Sequence, residues 1–501
     1  RPHGDGEAKN QLFLFQASLE LKCAEGFVPR PNLRGVDSSD LDECIADLQY
    51  KDAFEYAVGH GVSTRCVVVG DRCAEVHTTW MPSAEVEKVV AAAVPGDFDM
   101  KRLADCASAA EVSEKLKPLA DAYGKWIAQQ DIDGLKGQRA DVAKTLLANA
   151  TAVQKRILDG LEVLKDPDAL RAFRLANAAM ESQARQRGKL FSPPNTAAPA
   201  WRPFQLAFIL MNLRGVVDPT HADRERVDLL FFPTGGGKTE AYLGLAAFTL
   251  LLRRLKNPGL SSAGVSVLMR YTLRLLTLDQ LQRAATLVCA LELIRQASPK
   301  DLGEWPFEIG LWVGRAATPN RMGKKGDRDE YSARKRTQAY QRNTREPLPV
   351  PLESCPWCGA PLSKDSFQLV PNPDEPKDLR ILCVNRGACD FAGKALPILT
   401  VDEPIYRRLP CFLIATLDKF AALPWEGRVG GLFGKVDRYD ADGFYGACDE
   451  GQGARLRTPL LPPDLIIQDE LHLISGPLGT VAGFYEAAIE ALSSRTVDNK
   501  V

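Results

Sequence analysis

The stretch Asp228-Leu229-Leu230-Phe231-Phe232-Pro233-Thr234-Gly235-Gly236-Gly237-Lys238-Thr239-Glu240 decides the fold predicted for this chain of 501 residues. An apolar run, which predicts a strand, leads into a glycine turn, and an apolar helix from Ala241 to Leu252 follows. In a tight turn of small residues, the backbone N–H groups and the positive N-terminal end of the next helix face the same point, where they can bind a phosphate group. An ordinary glycine turn before a helix is the alternative.

The residue types of this turn predict how ATP and Mg²⁺ are held. Lys238 is expected to reach the β and γ phosphates of ATP as a point charge, and Thr239 to place its hydroxyl on Mg²⁺. The predicted nucleotide-binding residues of the turn are Thr234, Gly235, Gly236, Gly237, Lys238 and Thr239.

A second stretch, Asp464-Leu465-Ile466-Ile467-Gln468-Asp469-Glu470-Leu471-His472, supplies the complementary carboxylates. The apolar run Leu465 to Ile467 predicts a central parallel strand, and ligands of open α/β sheets bind where such strands end. Asp469 is expected to hold Mg²⁺, Glu470 to orient and deprotonate the attacking water, and His472 to sense whether the nucleotide site is occupied. Two carboxylates at a solvated helix start are the alternative.

Together these two stretches resemble the superfamily 2 helicases. Phe232 to Thr239 looks like their motif I, and Asp469-Glu470-Leu471-His472 looks like the DExH form of their motif II. The longer sequences around these two motifs, Pro233 to Glu240 and Gln468 to Gly479, are similar to those of DrmA, the helicase subunit family of the bacterial DISARM phage-defence system. The resemblance implies a RecA-like doubly wound parallel sheet as the first helicase lobe, DNA-stimulated ATP hydrolysis, and a companion protein with a DUF1998-type domain.

Three further stretches resemble other motifs of these helicases. Trp201 to Phe208 stands where a Q motif is found, so Gln205 is the candidate for reading adenine, although a glutamine at a helix start is equally consistent with no such role. Arg270 to Arg274, after a predicted strand, resembles motif Ia, and Phe412 to Lys419 resembles motif Ib. Such groups bind nucleic-acid phosphates without reading bases. The candidates for contact with single-stranded DNA are Arg270, Thr272, Arg274, Thr416 and Lys419.

Four of the 12 cysteines are grouped in two pairs, Cys355 with Cys358 and Cys383 with Cys389. A Cys-x-x-Cys knuckle followed by Gly359, and a second pair about 24 residues later, predict a closed four-sulfur zinc ribbon with a structural role. The second pair has five intervening residues, so its knuckle is expected to be looser. An iron–sulfur or redox site and free thiols are the alternatives, and Trp357 is expected to help form a binding surface.

The amino-acid composition limits the classes of protein to which the chain can belong. An apolar share of 45% with 25% charged residues is ordinary for globular domains, and a net charge of −1 gives no general attraction to nucleic acid. No long apolar run or signal peptide is found, which favours a cytoplasmic protein.

The pattern along the chain predicts several domains. We expect a mixed α/β domain at residues 1–95 and a helical domain at 96–192. The first RecA-like lobe is expected at 200–315 and 396–501, interrupted by a basic insertion or loop at 316–349 and by the zinc ribbon at 350–395. A superfamily 2 motor needs a second RecA-like lobe, which we expect to lie outside these residues.

Other functions share parts of this pattern. The chain would also suit a superfamily 2 helicase of DNA repair or RNA metabolism, a nucleotide-switched DNA-binding module, or a scaffold organised by its zinc ribbon.

Overall fold

The computed structural model describes residues 17–31, 39–70, 72–83, 92–190, 194, 196–231, 236–272, 274–387, 389–474 and 477–495, with the backbone alone at 274–279 and 477–478. The chain divides into two compact units. The first comprises residues 1–90 and 124–153, and the second comprises residues 91–123 and 154–501.

The first unit contains a three-stranded antiparallel sheet. Its strands are β1 (Glu20–Phe27), β2 (Ser63–Val69) and β3 (Arg72–Thr79), in the order β1-β3-β2. The pairing of β2 with β3 confirms the hairpin that the β-branched run beside Gly70 predicts. Helix α1 (Leu41–Gln49) carries the buried Asp47, whose two oxygens accept hydrogen bonds of 2.6 and 2.8 Å from Arg139.

Long helices follow, as the 3.6-residue periodicity of the sequence predicts. After the short helix α2 (Met100–Ala104), they are in order α3 (Ala109–Ala128), α4 (Gln138–Val163), α5 (Pro167–Lys189) and α6 (Pro203–Val217). Helix α5 begins as its sequence dictates, because Asp166 accepts hydrogen bonds from the N–H groups of Asp168 and Ala169 while Pro167 occupies the first turn.

A five-stranded, wholly parallel sheet forms the centre of the second unit. Its strand order is β13-β4-β9-β5-β8, with β4 (Val267–Tyr271), β5 (Ile309–Trp312), β8 (Ile398–Leu399), β9 (Phe412–Thr416) and β13 (Leu465–Gln468). Strands β4, β5 and β9 are fully buried, and apart from Arg270 in β4 their sequences are those expected of a parallel sheet covered on both sides. The second unit is therefore a mixed α/β structure around a parallel sheet.

Helices cover both faces of this sheet. On one face α7 (Lys238–Lys256) brings Tyr242 to Tyr271 of β4, and on the other α12 (Pro477–Ser493) brings Glu486 to the neighbouring Arg270. Successive residues of a strand point to opposite faces, so these two contacts fix the sides. The other helices are α8 (Arg274–Ala297), α9 (Pro299–Leu302) and α11 (Asp402–Arg408).

Two features of the sheet differ from the prediction. The described residues 228–231 before the glycine turn form no strand, and Phe231 is 88% exposed. Strand β13 lies at the edge of the sheet and not at its centre, and Ile466 is 37% exposed. Apolar sequence alone does not make a strand, because its N–H and C=O groups need a neighbouring strand, and within the described residues nothing pairs with the outer edge of β13.

The segment between β5 and β8 is folded through most of its length. Residues 316–349, expected to be a basic insertion or a loop, contain α10 (Ala333–Arg342), where Arg334 is buried and donates to the Pro373 carbonyl at 2.6 Å. The cysteine-bearing segment contains the antiparallel pair β6 (Phe367–Val370) and β7 (Asp378–Ile381). A small sheet of β10 (Arg438–Asp440), β11 (Gly443–Tyr445) and β12 (Ala454–Arg455) follows later in the chain.

No helix in the described parts of the chain combines the length and the apolar character that crossing a lipid bilayer requires.

Candidate nucleotide site and metal centre

The described part of the glycine turn has the backbone that a phosphate loop needs. Gly237 has φ of 89° and caps α7, whose first residues are Lys238 and Thr239. A side chain at Gly237 would be strained by this positive φ and would place its Cβ 2.8 Å from Nε2 of Gln205. Thr234 and Gly235 lie outside the described residues.

The side chains of Arg202, the N-cap of α6, and of Gln205, in its first turn, donate hydrogen bonds to the glycine turn. Arg202 donates from Nη1 to the Gly236 carbonyl at 2.6 Å, and Gln205 donates from Nε2 to the Gly237 carbonyl at 2.8 Å. Gln205 also accepts from the Arg202 N–H at 2.8 Å, so both ends of its buried amide are bonded. The structure therefore gives Gln205 a contact with the loop, and its reading of adenine stays a prediction. Sequence reasoning missed Arg202. The only signal for its role was its position three residues before Gln205.

An ion pair fixes the chain where it enters the turn. Arg156 of α4, which is almost fully buried, donates from both Nη atoms to the two oxygens of Asp228 at 2.7 Å, and from Nε to Asp223 at 3.0 Å. A bidentate guanidinium–carboxylate pair restricts both direction and position. Nothing in the sequence links Arg156 with Asp228, because they belong to distant segments.

The two stretches that the sequence predicts to share a nucleotide meet in space. Asp469 follows the end of β13, and its Oδ2 accepts from the hydroxyl of Tyr242 at 3.1 Å. The same Tyr242 oxygen lies 3.1 Å from Oγ1 of Thr239. A hydroxyl and a carboxylate are hard oxygen ligands of the kind Mg²⁺ prefers, so the donor set fits this ion. Sequence reasoning also missed Tyr242.

The phenols beside this pair are held protonated. Burial, and next the neighbouring Asp469 carboxylate, raise the pKa of Tyr242 well above that of an ordinary phenol. Burial raises the pKa of Tyr271 in the same way, with further contributions from Tyr242 and Asp469. Both groups therefore remain neutral at physiological pH, and Tyr242 can donate to the ionised carboxylate.

Glu470 has an unusual backbone at the position predicted to be catalytic. Its φ is 50° and its ψ is 46°, a left-handed conformation that costs a non-glycine residue about 1 kcal/mol or more. Nδ1 of His472 lies 3.3 Å from Glu470 Oε2, and the imidazole is largely exposed. The two side chains predicted to activate water and to sense nucleotide are thus neighbours beside Asp469.

The five candidates for nucleic-acid contact lie within a few residues of the carboxyl ends of the adjacent strands β4 and β9. Thr272 follows β4 and Thr416 ends β9, which pairs with β4, and both hydroxyl oxygens are buried without a hydrogen-bond partner in the described structure. Arg270 is 4% exposed, with Nη1 2.6 Å from Glu486. The side chain of Arg274, the first residue of α8, lies outside the described atoms.

Lys419 is also enclosed. Its Nζ lies 2.6 Å from Asp402 and donates to the Val313 carbonyl and to Asn320, each at 3.2 Å. Lys419 must leave these partners before it can reach a phosphate.

The grouped cysteines form a site with the dimensions of a metal centre. The Sγ atoms of Cys355, Cys358, Cys383 and Cys389 all lie within 4.8 Å of one another. The Cys355–Cys389 and Cys358–Cys383 separations are 4.0 and 3.6 Å. Tetrahedral zinc with Zn–S bonds of about 2.3 Å separates its sulfurs by roughly 3.8 Å, so this donor set fits zinc.

The surroundings of the cysteines correct one expectation. Trp357 is 3% exposed and donates to Asp390 at 2.7 Å, so it forms part of the interior of the cysteine-bearing segment and not a binding surface. Oγ1 of Thr286 in α8 lies 3.0 Å from the Pro356 carbonyl oxygen and 2.8 Å from the Gln282 carbonyl oxygen of its own helix, so the first knuckle is in contact with a helix of the central sheet.

No protein-family model matches the chain. It is 34% identical, over an alignment 529 positions long, to the DISARM protein DrmA of Bacillus paralicheniformis. The alignment covers 98% of this chain and 46% of that protein, so the chain spans about half the length of the curated relative that it matches. This similarity confirms the resemblance to DrmA that the two motif stretches predict.

Proposed function

From the similarity of nearly the whole chain to a DISARM protein DrmA, we propose that it carries the first RecA-like lobe of an ATP-dependent superfamily 2 helicase or translocase that acts on DNA in bacterial defence against phage. One observation carries the proposal. The hydroxyl of Thr239 and the carboxylate of Asp469, far apart in the sequence, both lie 3.1 Å from one phenol oxygen, at the edge of a parallel sheet where nucleotides bind.

Each residue of the site has a separate role in the proposed hydrolysis of ATP. The N–H groups at the start of α7 and the ammonium group of Lys238 bind the phosphates, while Arg202 and Gln205 keep the turn in place. Thr239 and Asp469 would hold Mg²⁺, which neutralises phosphate charge. Glu470 accepts the proton of the attacking water, and His472 lies beside it to respond to the nucleotide.

The proposed DNA contacts lie next to this site. The hydroxyl oxygens of Thr272 and Thr416 are buried and have no hydrogen-bond partner among the described residues, and Arg270 and Lys419 are held in ion pairs. Because these groups lie near the ends of neighbouring strands, a backbone phosphate bound there would be sensed at Asp469, which follows the next strand. Recognition through phosphates alone gives binding that does not depend on base sequence.

ATP turnover by the purified complete protein, with the second RecA-like lobe that the motor needs, tests the proposal. The rate is measured alone and with single-stranded DNA, duplex DNA or RNA, for the unchanged protein, for Glu470→Gln and for Lys238→Ala. We expect DNA to raise the rate, Glu470→Gln to lower it at least 100-fold while nucleotide still binds, and Lys238→Ala to abolish binding with the fold retained.

Each alternative gives a different result. Nucleotide binding without turnover would indicate a switch, and stimulation by RNA alone would place the protein in RNA metabolism. If folded Lys238→Ala protein hydrolyses ATP normally, the assignment of the site is wrong. Within a DISARM system we expect a companion protein of the DUF1998 type to bind, which co-purification from a host with and without that gene would show.

A further inference from the structure

Tyr242 is placed where the two halves of the nucleotide site meet. It lies one helical turn after Thr239 on α7, so both side chains point to the same side of the helix. Its ring is buried, and its hydroxyl reaches the edge of the sheet where β13 ends.

Four oxygen atoms surround the phenol oxygen. They are Asp469 Oδ2 and Thr239 Oγ1 at 3.1 Å, Gln280 Oε1 at 3.3 Å and the Tyr271 hydroxyl at 3.5 Å. A phenol has one proton to donate, and an ionised carboxylate can only accept. Hydrogen bonds to charged acceptors are the stronger ones, so the proton goes to Asp469 and Thr239 donates to Tyr242.

These hydrogen bonds fix the side chains of Thr239 and Asp469 and leave their oxygen atoms able to bind a cation. Oδ1 of Asp469 accepts from the Glu470 N–H at 2.9 Å, so the carboxylate is held at both ends. Each carboxylate oxygen keeps a lone pair, and Thr239 keeps its lone pairs when it donates its proton.

We propose that Tyr242 is a positioning residue that sets the placement of Thr239 relative to Asp469 and thereby tunes the affinity of the nucleotide site for its divalent cation. The proposal rests on the nucleotide site described above and adds a residue to which neither motif assigns a role. Tyr242 does not touch the reacting atoms. It acts through the two groups that it joins.

The test measures nucleotide binding with and without the cation. Tyr242→Phe keeps the buried ring and removes only the hydroxyl. Affinity for a fluorescent ADP analogue is measured in EDTA and in Mg²⁺, and Mn²⁺ bound to the protein–ADP complex is counted by electron paramagnetic resonance. We expect equal affinity in EDTA for the two proteins, and a gain on adding Mg²⁺ that is about tenfold smaller in the variant.

Tyr406→Phe is the matched control. Tyr406 is a buried tyrosine of the same unit whose hydroxyl accepts from Trp312 Nε1 at 3.0 Å, away from the nucleotide site. This variant should retain the full gain in affinity from Mg²⁺.

The possible outcomes separate this inference from the proposed function. An unchanged Mg²⁺ gain and unchanged Mn²⁺ affinity in Tyr242→Phe would overturn the inference alone. Loss of binding in EDTA as well would show a structural role and would also overturn it. If the unchanged protein binds no nucleotide, the proposed function fails, and the role of Tyr242 fails with it.

Discussion

The strained backbone at Glu470 has a chemical consequence at the scale of the residue. The backbone of Glu470 is left-handed, and its carboxylate lies 3.3 Å from Nδ1 of His472. Such strain persists only where the surrounding structure imposes it, and here Asp469 accepts the Glu470 N–H. The backbone conformation of Glu470 therefore helps to orient the proposed catalytic base.

Asp402 gives a prediction at the same scale. Burial raises its pKa to about 6, although the charge of Lys419 opposes this. Its ordinary pKa is 3.8, so between about pH 4 and pH 6 the folded state binds more protons than the unfolded state. The contribution of Asp402 to the free energy of unfolding must then fall as pH rises through this window, by up to about 3 kcal/mol.

Asp402→Asn removes this titration. Urea unfolding at pH 4.5 and pH 7 should show that the unchanged protein loses more stability over this interval than the variant does. Equal losses in the two proteins would contradict the raised pKa of Asp402.

At the scale of elements, close helix crossings decide how the long helices pack. Gly160 of α4 lies against α6, and a Cβ on it would come within 1.9 Å of the Leu210 carbonyl oxygen. Backbone cannot yield as a flexible side chain can, so even one methyl group must push the two helices apart. The sequence shows Gly160 as an ordinary helical glycine, and only the crossing gives it a role.

Gly160→Ala should lower the free energy of unfolding by about 1–3 kcal/mol, as overpacking does in other interiors. Gly483 is the matched control, since it is an exposed glycine of α12 with nothing within 4 Å of its Cβ position. Gly483→Ala should stabilise slightly, because alanine favours helix over glycine by up to about 1 kcal/mol. Thermal unfolding of the three proteins measures both effects, and a stabilising Gly160→Ala would refute the tight crossing.

At the scale of the whole molecule, the cysteine-bearing segment packs against helices that cover the central sheet and is not a free appendage. Beyond the contact with Thr286, Gly359 packs so closely on Leu190 that a Cβ would lie 2.5 Å from its Cδ2 atom. Loss of the bound metal should therefore also destabilise the helices that pack on the sheet.

We expect one zinc ion per chain by elemental analysis. Cys355→Ser should lower this content sharply and lower the melting temperature, because removing a thiolate ligand weakens a structural site whose binding energy contributes to folding. Cys448→Ser changes an exposed cysteine outside the cluster and should alter neither quantity. Iron in place of zinc, or full zinc content in Cys355→Ser, would contradict the assignment.

The sequence by itself determined the chemistry that is local. Continuous apolar runs predicted the buried strands β4 and β9, helical periodicity predicted α3 to α5, and the spacing of four cysteines predicted a sulfur cluster that the structure brings together. Each of these depends on residues a few positions apart, or on ligand types with few other uses.

Only the tertiary structure decided what depends on distant partners. It placed β13 at an edge, left residues 228–231 without a strand, buried Lys419 against Asp402, and brought Tyr242 between Thr239 and Asp469. Hydrogen bonds between strands and ion pairs between remote segments exist only after the chain has folded. No local pattern encodes which remote group will meet a given side chain.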